Sequence, residues 1–473
     1  MSKSEILENN KNKKKKKISI PHTFTIIFAL IIVMAGLTWI IPSGQFDRTE
    51  VDGRSVVVPG TYKVVESNPQ GIPEIFKAPI DGFIDAAEVV GFVILVGGAF
   101  GIVNKTGAIE AGIGHTISKM KGLEFLIIPI CMILFGLGGT TFGMHEEALP
   151  FYIIFIPMMV SLGYDSLTGM AVVFIGAAAG TAASTINPFS TGIAQALANI
   201  APGSGIGYRS IIFVIIMAIS IAFVMLHANK VKKNPQKSIV YELDKKNREH
   251  FVMGDSNIKP FTKKELAVLV TFTVGMAGMV YGVVAKGWYI PEICMIFCAM
   301  GILSGIFGGL KQSEIVEAFE EGAKDLITAG LAIALARGIV IIAQNGFIID
   351  SILNSAANLL NGLPKSIFIV LTFLLESALT ILIPSSSGLA SLTIPVLAPL
   401  GDLVGVSSQQ IVTAFQFGSG FMNMITPTSG VLMGALAVAR VPWDKWLKFI
   451  APLLITITIL GIGFLVIGLQ FGF

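Results

Sequence analysis

The stretch from Gly180 to Gly192 reads GTAASTINPFSTG and lies inside a long apolar segment of the chain. Pro188 has no backbone N–H, so a helix that enters this stretch loses a hydrogen bond and is predicted to break there. Free backbone groups within a bilayer are tolerated only where they contact protein or line a water-filled cavity. A second stretch, from Gly418 to Gly430, reads GSGFMNMITPTSG. One such break in each half is typical of the solute site of a secondary transporter.

The composition is that of a membrane protein. Of the 473 residues, 53% are hydrophobic and 13% are charged, whereas soluble domains carry roughly 25% charged residues. We therefore predict an all-α polytopic membrane protein. Three cysteines, Cys131, Cys294 and Cys298, all fall within predicted spans, which indicates neither a disulfide framework nor a metal site.

Basic residues are concentrated in two segments. Six lysines lie between Lys11 and Lys17, and ten Lys or Arg residues lie between Lys230 and Lys264. The positive-inside rule predicts that both segments are cytoplasmic. Next to a membrane span, such a run is a topology signal that also contacts lipid head groups, so we do not predict nucleic-acid binding.

The second half of the chain repeats the pattern of the first half. The motif MAG at 34–36 returns 242 residues later at 276–278, and Pro188 returns 239 residues later as Pro427. One additional predicted span, Ile293 to Gly309, reverses the direction of every later element, which predicts an inverted repeat. The predicted organisation is a cytoplasmic basic tail (1–22), a first membrane repeat (23–228), a cytoplasmic basic loop (229–264) and an inverted second repeat (265–473).

Each half also contains a predicted re-entrant hairpin. In the first half, apolar arms flank a polar tip from Gly138 to Glu147, and each arm is shorter than the roughly 20 residues of a span. The second hairpin runs from Ile367 to Leu400, with its tip at 383–388. We predict an external loop over 42–79 and an interfacial helix over 105–121. The total is two hairpins, two broken helices and about nine full spans, with the N-terminus inside and the C-terminus outside.

Four motifs together make the chain resemble the YfcC-like family, which is grouped with the anaerobic four-carbon dicarboxylate carriers in the ion transporter superfamily. They are GGTTFGMHEEALPF, STINPFSTG, IPSSSGLA and NMITPTSG, and the resemblance covers the chain from Ile20 onward. It implies a homodimer in the cytoplasmic membrane, in which a central scaffold holds a transport domain that moves like an elevator. It also implies a small-molecule substrate bound between the hairpin tips and the helix breaks.

The resemblance points to polar residues of the two tips and the two breaks, and the high cost of intramembrane charge adds His145 to them. The predicted substrate-binding residues are Thr140, Thr141, His145, Glu146, Glu147, Ser184, Thr185, Asn187, Ser385, Ser386, Ser387, Asn423, Thr426, Thr428 and Ser429. For ion coupling, by a proton or by sodium, the candidates are Glu146, Glu147 and Glu376. Arg337 and Glu376 either form a structural ion pair or contact the substrate. No metal and no other cofactor is predicted.

The charges of these residues limit the kinds of substrate that the site can bind. Three glutamates against one arginine suit an ammonium or guanidinium group, or a proton taken up by a carboxylate. Helix termini at the breaks offer amide donors to a carboxylate. A small amino acid has both a cationic group and a carboxylate. The specific hypothesis is that the protein exchanges basic amino acids such as arginine and ornithine. The alternative is a proton- or sodium-coupled carrier of four-carbon dicarboxylates or of another small organic anion.

Other functional classes fit the sequence less well. A channel also has polar groups at the midplane, but it needs no inverted repeat with closed hairpins. An enzyme is not predicted, because the zinc-protease motif that would begin at His145 has Leu149 where the second histidine is required.

Overall fold

The computed structural model describes residues 23–51, 54–109, 111–112, 123–201, 203–251, 262–286, 288–471 and 473. Within these ranges lie eighteen α-helices and two small antiparallel pairs of strands. The predicted basic tail (1–22) and most of the predicted interfacial helix (105–121) fall outside the described residues, so these two predictions remain open.

The first half of the chain begins with one helix, continues into the strands and then returns to helices. The helices are α1 (Thr23–Leu37), α2 (Ile72–Asp85), α3 (Ala87–Lys105), α4 (Ile127–Phe142), α5 (Leu149–Ser161), α6 (Ser166–Ala182), α7 (Thr191–Leu197) and α8 (Ile206–Lys233). The strands are β1 (Gly44–Gln45), β2 (Arg48–Val51), β3 (Arg54–Val57) and β4 (Lys63–Val64), paired β1 with β4 and β2 with β3.

The second half follows a short helix of the basic loop, and its described residues contain helices and connecting turns but no strand. Its helices are α9 (Tyr241–Phe251) in the loop, then α10 (Lys263–Lys286), α11 (Ile290–Gly308), α12 (Gln312–Asn345), α13 (Ile349–Leu360), α14 (Lys365–Leu382), α15 (Ser386–Val404), α16 (Ser408–Asn423), α17 (Gly430–Ala439) and α18 (Trp443–Gly468).

Among the described residues, eight helical segments are long and apolar enough to cross a membrane, so the chain is a multi-pass membrane protein. They are α3, α4 with the turn before it (Glu124–Phe142), α8, α11, α12, α14, α15 and α18. Three of them are hairpin arms, with lengths of 18 or 19 residues. The sequence argument that the arms of the first hairpin are too short to cross is therefore wrong for α4.

The first arm is longer than expected because the Gly-Gly-Thr-Thr run stays helical. α4 ends only at Phe142, and the non-helical tip is reduced to Gly143–His145. A Cβ atom on Gly139 would overlap the carbonyl of Ala177 in α6. These small residues therefore permit close helix packing instead of forming a loop. The two arms touch through aromatic rings, since the ring of Phe135 packs on those of Phe151 and Phe155 in α5.

The predicted external loop over 42–79 is also partly wrong, because α2 already begins at Ile72. The Gly71 N–H donates to Glu74 at 2.8 Å, and Pro73 occupies the first turn, as expected at a helix start. A single interruption at Ala86 separates α2 from α3. Together they span 72–105, and α12 is the uninterrupted counterpart 240 residues later, at 312–345.

These counterpart helices cross through glycines in an antiparallel arrangement. Gly82 faces Gly338, whereas Gly101, further along the same half, faces Gly322. Any side chain at Gly82 or Gly101 would overlap the backbone of α12. Because equivalent helices of the two halves run in opposite directions, the predicted inverted repeat is confirmed.

Both predicted helix breaks are confirmed. The first separates α6 from α7 between Ala182 and Thr191, and the second separates α16 from α17 between Asn423 and Gly430. The two broken helices touch each other, because a side chain on Gly420 would overlap Ala182. The two breaks are therefore neighbours in space although they lie far apart in sequence.

The helices form two groups. We call α1–α3 with α10–α12 the first bundle, and α4–α8 with α14–α18 the second bundle. The bundles meet chiefly where α17 packs on α12, with Gly434 beside Ala329 and Gly430 beside Ile333. The two glycines let α17 approach α12 closely.

The basic loop folds back on the turn between α5 and α6. His227 and Ser238 both bond to the Asp165 carboxylate, which also accepts the Thr168 N–H at 2.9 Å, as expected for a helix cap. Burial opposes ionisation of Asp165, but these hydrogen bonds outweigh it and hold the pKa of its carboxyl below the usual range.

Candidate functional site

A cavity of about 330 Å³ lies between the two bundles, next to both helix breaks and both hairpin tips. The first bundle contributes Asp85, Ala86, Val89, Tyr289, Ile333 and Arg337 to its lining. The second bundle contributes Gly143, His145, Glu146, Glu147, Thr181, Asn187, Phe189, Ser190, Pro384, Ser385, Ser386, Ser387, Asn423, Thr428, Ser429, Gly430 and Val431.

Ten of the fifteen predicted substrate-binding residues line this cavity. They are His145, Glu146, Glu147, Asn187, Ser385, Ser386, Ser387, Asn423, Thr428 and Ser429. The structure thus brings together residues from four segments that are separated by up to 284 positions.

The other five predicted residues lie behind the cavity wall and bond to neighbouring groups. Thr140 donates to the Ala183 carbonyl at 3.1 Å and accepts the Thr185 N–H at 3.0 Å, which ties the first tip to the first break. Thr141 donates to Leu137 within α4. Ser184 bonds to Thr191, and Thr426 bonds to Thr428. The role that the structure suggests for these five is support of the wall.

The two glutamates of the first tip differ in their surroundings. Glu147 is 8% exposed, and its carboxylate accepts the His145 N–H at 2.9 Å, so it shapes the tip. Glu146 is half-buried and lines the cavity, and no other described residue is seen to bond its carboxylate. Of the two, Glu146 is therefore the carboxylate that is available to a ligand.

The asparagines of the breaks each contact a hairpin tip. Asn187 lies against Gly143, whose left-handed backbone (φ 75°) forms the turn of the first tip. Asn423 donates from Nδ2 to the Pro384 carbonyl at 3.0 Å, which links the second break to the second tip. The Oδ1 atom of Asn423 is buried without a hydrogen-bond partner among the described residues. It is therefore an acceptor with unused hydrogen-bonding capacity at the junction of the second break and the second tip.

The opposite wall of the cavity carries an ion pair between Arg337 and Asp85. The predicted pairing of Arg337 with Glu376 is therefore wrong: α12 and α2 cross in a way that brings Asp85 to Arg337 instead. Both partners remain partly accessible, with side chains 28% and 37% exposed. The N-terminus of α17, which belongs to the second bundle, is nearby, since Gly430 lines the same cavity and packs on Ile333, one turn before Arg337 in α12. This wall can receive a carboxylate.

Glu376, the third candidate for ion coupling, lies outside the cavity. Its side chain is 0% exposed, and it sits in α14 against Gly418 of α16. Neither of its carboxylate oxygens has a hydrogen-bond partner among the described residues.

A second cavity, of about 370 Å³, adjoins the first and shares Arg337 and Ser385 with it. Strand residues line its other side, where Arg48 forms a 2.8 Å ion pair with the nearly buried Asp350. Arg337 thus stands between two spaces that a solute can occupy. The described residues include no cluster of His, Cys, Asp and Glu able to hold a metal ion.

Sequence reasoning missed the contribution of the first bundle to the cavity. Asp85 adjoins the interruption at Ala86. The counterpart helix α12 has no interruption at the corresponding place, so the sequence repeat gave no sign of it. Tyr289, whose ring lies 5.4 Å from that of Phe189, precedes the additional span and carries no motif signal.

The chain matches the family model DcuC, described as C4-dicarboxylate anaerobic carrier, over residues 20–470. It is 38% identical to an Escherichia coli K12 protein provisionally named a basic amino acid antiporter, YfcC, over 97% of this chain and 98% of that protein. It is 34% identical to an uncharacterised Haemophilus influenzae protein over 96% of this chain and 98% of that one.

Two solved transporters show a more distant likeness. The YdaH transporter of Alcanivorax borkumensis has a TM-score of 0.45 at 15% identity and covers 96% of this chain and 99% of its own. MtrF of Neisseria gonorrhoeae has a TM-score of 0.42 at 18% identity, with 95% of each chain covered. On the family match and the two full-length relatives, the chain belongs to the DcuC family of membrane transporters.

Proposed function

We propose that this transporter carries a small zwitterionic amino acid, with a basic one such as arginine or ornithine as the preferred substrate, by exchange. The supporting observation is that the cavity has opposite chemistry on its two walls. Glu146 on one wall suits an ammonium or guanidinium group. Arg337 on the other wall suits a carboxylate, together with the N-terminus of α17, which belongs to the second bundle but packs on Ile333 of the helix that carries Arg337.

The charges of the residues that line the cavity also favour a substrate whose side chain is cationic. Asp85 and Arg337 compensate each other within their ion pair. Glu146 and Glu147 then leave a negative excess in the cavity, which a neutral amino acid does not neutralise. The E. coli relative, which is provisionally named a basic amino acid antiporter, agrees with this choice.

Counterflow in proteoliposomes tests the proposal. Vesicles loaded with unlabelled arginine should accumulate labelled arginine or ornithine without any ion gradient, and external succinate should not compete. Vesicles without protein are the control. Uptake of succinate that depends on a proton or sodium gradient, with no arginine counterflow, would contradict the amino-acid proposal.

Gradient-dependent uptake of succinate would instead support the second candidate function, which is ion-coupled transport of four-carbon dicarboxylates. The family description favours it, and Arg337 with the α17 amides offers a place for one carboxylate. A dicarboxylate would require Glu146 to be protonated, and the buried Glu376 would be the candidate for the coupling proton. Exchange of amino acids needs no coupling ion and no cofactor.

We further propose that the first bundle is the scaffold of a homodimer and the second bundle is a transport domain that moves like an elevator. The division of the helices into two bundles that meet chiefly where α17 packs on α12 supports this, because two separate bodies can move relative to each other. Cysteines at Ala329 and Gly434 would have Cβ atoms about 3.7 Å apart, a distance that suits a disulfide. Oxidation of this pair should stop counterflow but not arginine binding, and reduction should restore transport. Unchanged counterflow after complete oxidation would argue against the motion.

In the cytoplasmic membrane, the proposed orientation has the basic loop inside and the C-terminus outside. Ser238 is buried against Asp165, so the exposed Lys237 is the better position for a reporter cysteine. In a variant that lacks the three native cysteines, a cysteine at Lys237 should react from the cytoplasmic side. A cysteine added after Phe473 should react from the opposite side. Labelling of both from one side would contradict the orientation.

A further inference from the structure

The strands between α1 and α2 cover the second hairpin. β3 packs on α15, and the second cavity is lined by strand residues on one side and by the hairpin on another. The strands are fastened to the start of α13, where the Asp350 carboxylate accepts the Phe46 N–H at 2.9 Å and pairs with Arg48 at 2.8 Å. Tyr62 bonds to Ser351 in the same turn at 3.0 Å. The second cavity is therefore a roofed space beside the second tip.

α12 places these strands on the side of the membrane opposite the basic loop. Its start follows Gly309, which lies against Lys264 at the end of that loop. Its other end adjoins the strands, because the Gly44 N–H donates to the Phe347 carbonyl at 3.0 Å. A helix of 34 residues is about 51 Å long, which is enough to cross a membrane. In the proposed orientation, the second cavity is therefore external.

Two guanidinium groups line the second cavity, Arg48 from the strands and Arg337 from α12. Their side chains are 38% and 28% exposed, so both are accessible to a solute. Each has five N–H groups, of which bonds to the described residues use at most two. Asp350 is the one carboxylate among the described lining residues, and it is already paired with Arg48. The second cavity thus lacks the negative excess of the first.

We propose that the second cavity is an entry site that holds the carboxylate of an incoming solute, first at Arg48 and then at Arg337. The two cavities share Arg337 and Ser385, so the carboxylate can pass inward without leaving the Arg337 guanidinium. The volume of about 370 Å³ lies within the usual range of ligand pockets. The inference rests on the proposed function only in that the solute has a carboxylate, which is true of an amino acid and of a dicarboxylate.

Thiol labelling at Ser55 tests the proposal. Ser55 is exposed and lines the second cavity but not the first. In a variant without the native cysteines, Ser55→Cys should react with a membrane-impermeant thiol reagent added outside. At arginine tenfold above its Kd, the labelling rate should fall about tenfold by mass action. Agmatine, which lacks the carboxylate of arginine, should not protect the cysteine.

Variants of the strands give the test its specificity. Arg48→Gln should raise the arginine concentration for half-protection roughly tenfold, the effect of losing a hydrogen bond to a charged group. In case this change loosens the strands, Arg48→Gln combined with Asp350→Asn keeps an acceptor for the Phe46 N–H and should behave alike. Lys63→Gln is the matched control, because Lys63 pairs with the exposed Asp47 outside the cavity. It should leave the protection unchanged.

Glu146→Gln separates the entry site from the first cavity. Glu146 does not line the second cavity, so this variant should keep the protection by arginine. Protection by succinate but not by arginine would contradict the proposed amino-acid substrate and support the entry site. The proposal is overturned if the cysteine does not react from outside, if neither solute protects it, if agmatine protects as well as arginine, or if Arg48→Gln behaves like Lys63→Gln.

Discussion

Replacement of Glu146 by glutamine should weaken arginine binding by roughly 2 to 5 kcal/mol, the usual cost of removing one partner from a desolvated charge pair. Glu146 is the tip carboxylate that lines the cavity and is bonded by no other described residue, so a bound cation is its expected partner. Glutamine keeps the shape and size of the side chain. The loss therefore reports on charge and not on packing. Calorimetry or arginine-dependent thermal stabilisation would measure it.

Two variants of the same hairpin serve as comparisons. Glu147→Gln should reduce protein stability more than Glu146→Gln does, because Glu147 accepts the His145 N–H that shapes the tip. Thr141→Val is the matched control, since Thr141 bonds only within α4 and does not line the cavity. It should bind arginine as the wild-type protein does. Equal arginine affinity in the wild type and Glu146→Gln would remove Glu146 from the site and the cationic substrate with it.

The second large effect is expected at Arg337, and it should depend on the substrate. Arg337→Gln should weaken arginine binding by roughly 1 to 3 kcal/mol, the range for hydrogen bonds to charged groups. Agmatine, which is arginine without its carboxylate, should bind the variant and the wild type with similar affinity. The reason is that Arg337 faces the carboxylate, whereas Glu146 on the opposite wall faces the cationic end. Glu146→Gln should therefore weaken both ligands.

The Asp85→Asn variant distinguishes a role of Arg337 in substrate binding from a purely structural role. If Arg337 serves only to hold α12 on α2, then Asp85→Asn and Arg337→Gln break the same ion pair and should have the same effect. If Arg337 binds the substrate, Asp85→Asn frees the guanidinium group and should leave arginine affinity unchanged or higher. Parallel losses in the two variants, for arginine and agmatine alike, would show that the pair is structural.

Local chemistry made part of this architecture predictable. Both helix breaks follow from proline and polar residues inside apolar segments, which act within one or two turns of the chain. The cavity places Asn187 and Asn423 next to the two tips because the halves repeat each other, and that repeat is written in the sequence at a nearly constant spacing. The boundaries of the first hairpin tip were harder to predict. Gly139 lies in a helix instead of a loop because α6 packs closely against it, and the local sequence does not show that contact.

Four features of this protein follow from its sequence: the chain is helical, it crosses a membrane many times, its halves are inverted, and its helices break at Pro188 and Pro427. Composition, proline placement and repeat spacing need no knowledge of distant partners. The contacts between charged residues depend on the tertiary structure. Arg337 pairs with Asp85, 252 residues away, rather than with Glu376. The physical reason is that a buried charge is governed by what the crossing of helices brings within a few ångströms, and no local pattern in the sequence encodes that contact.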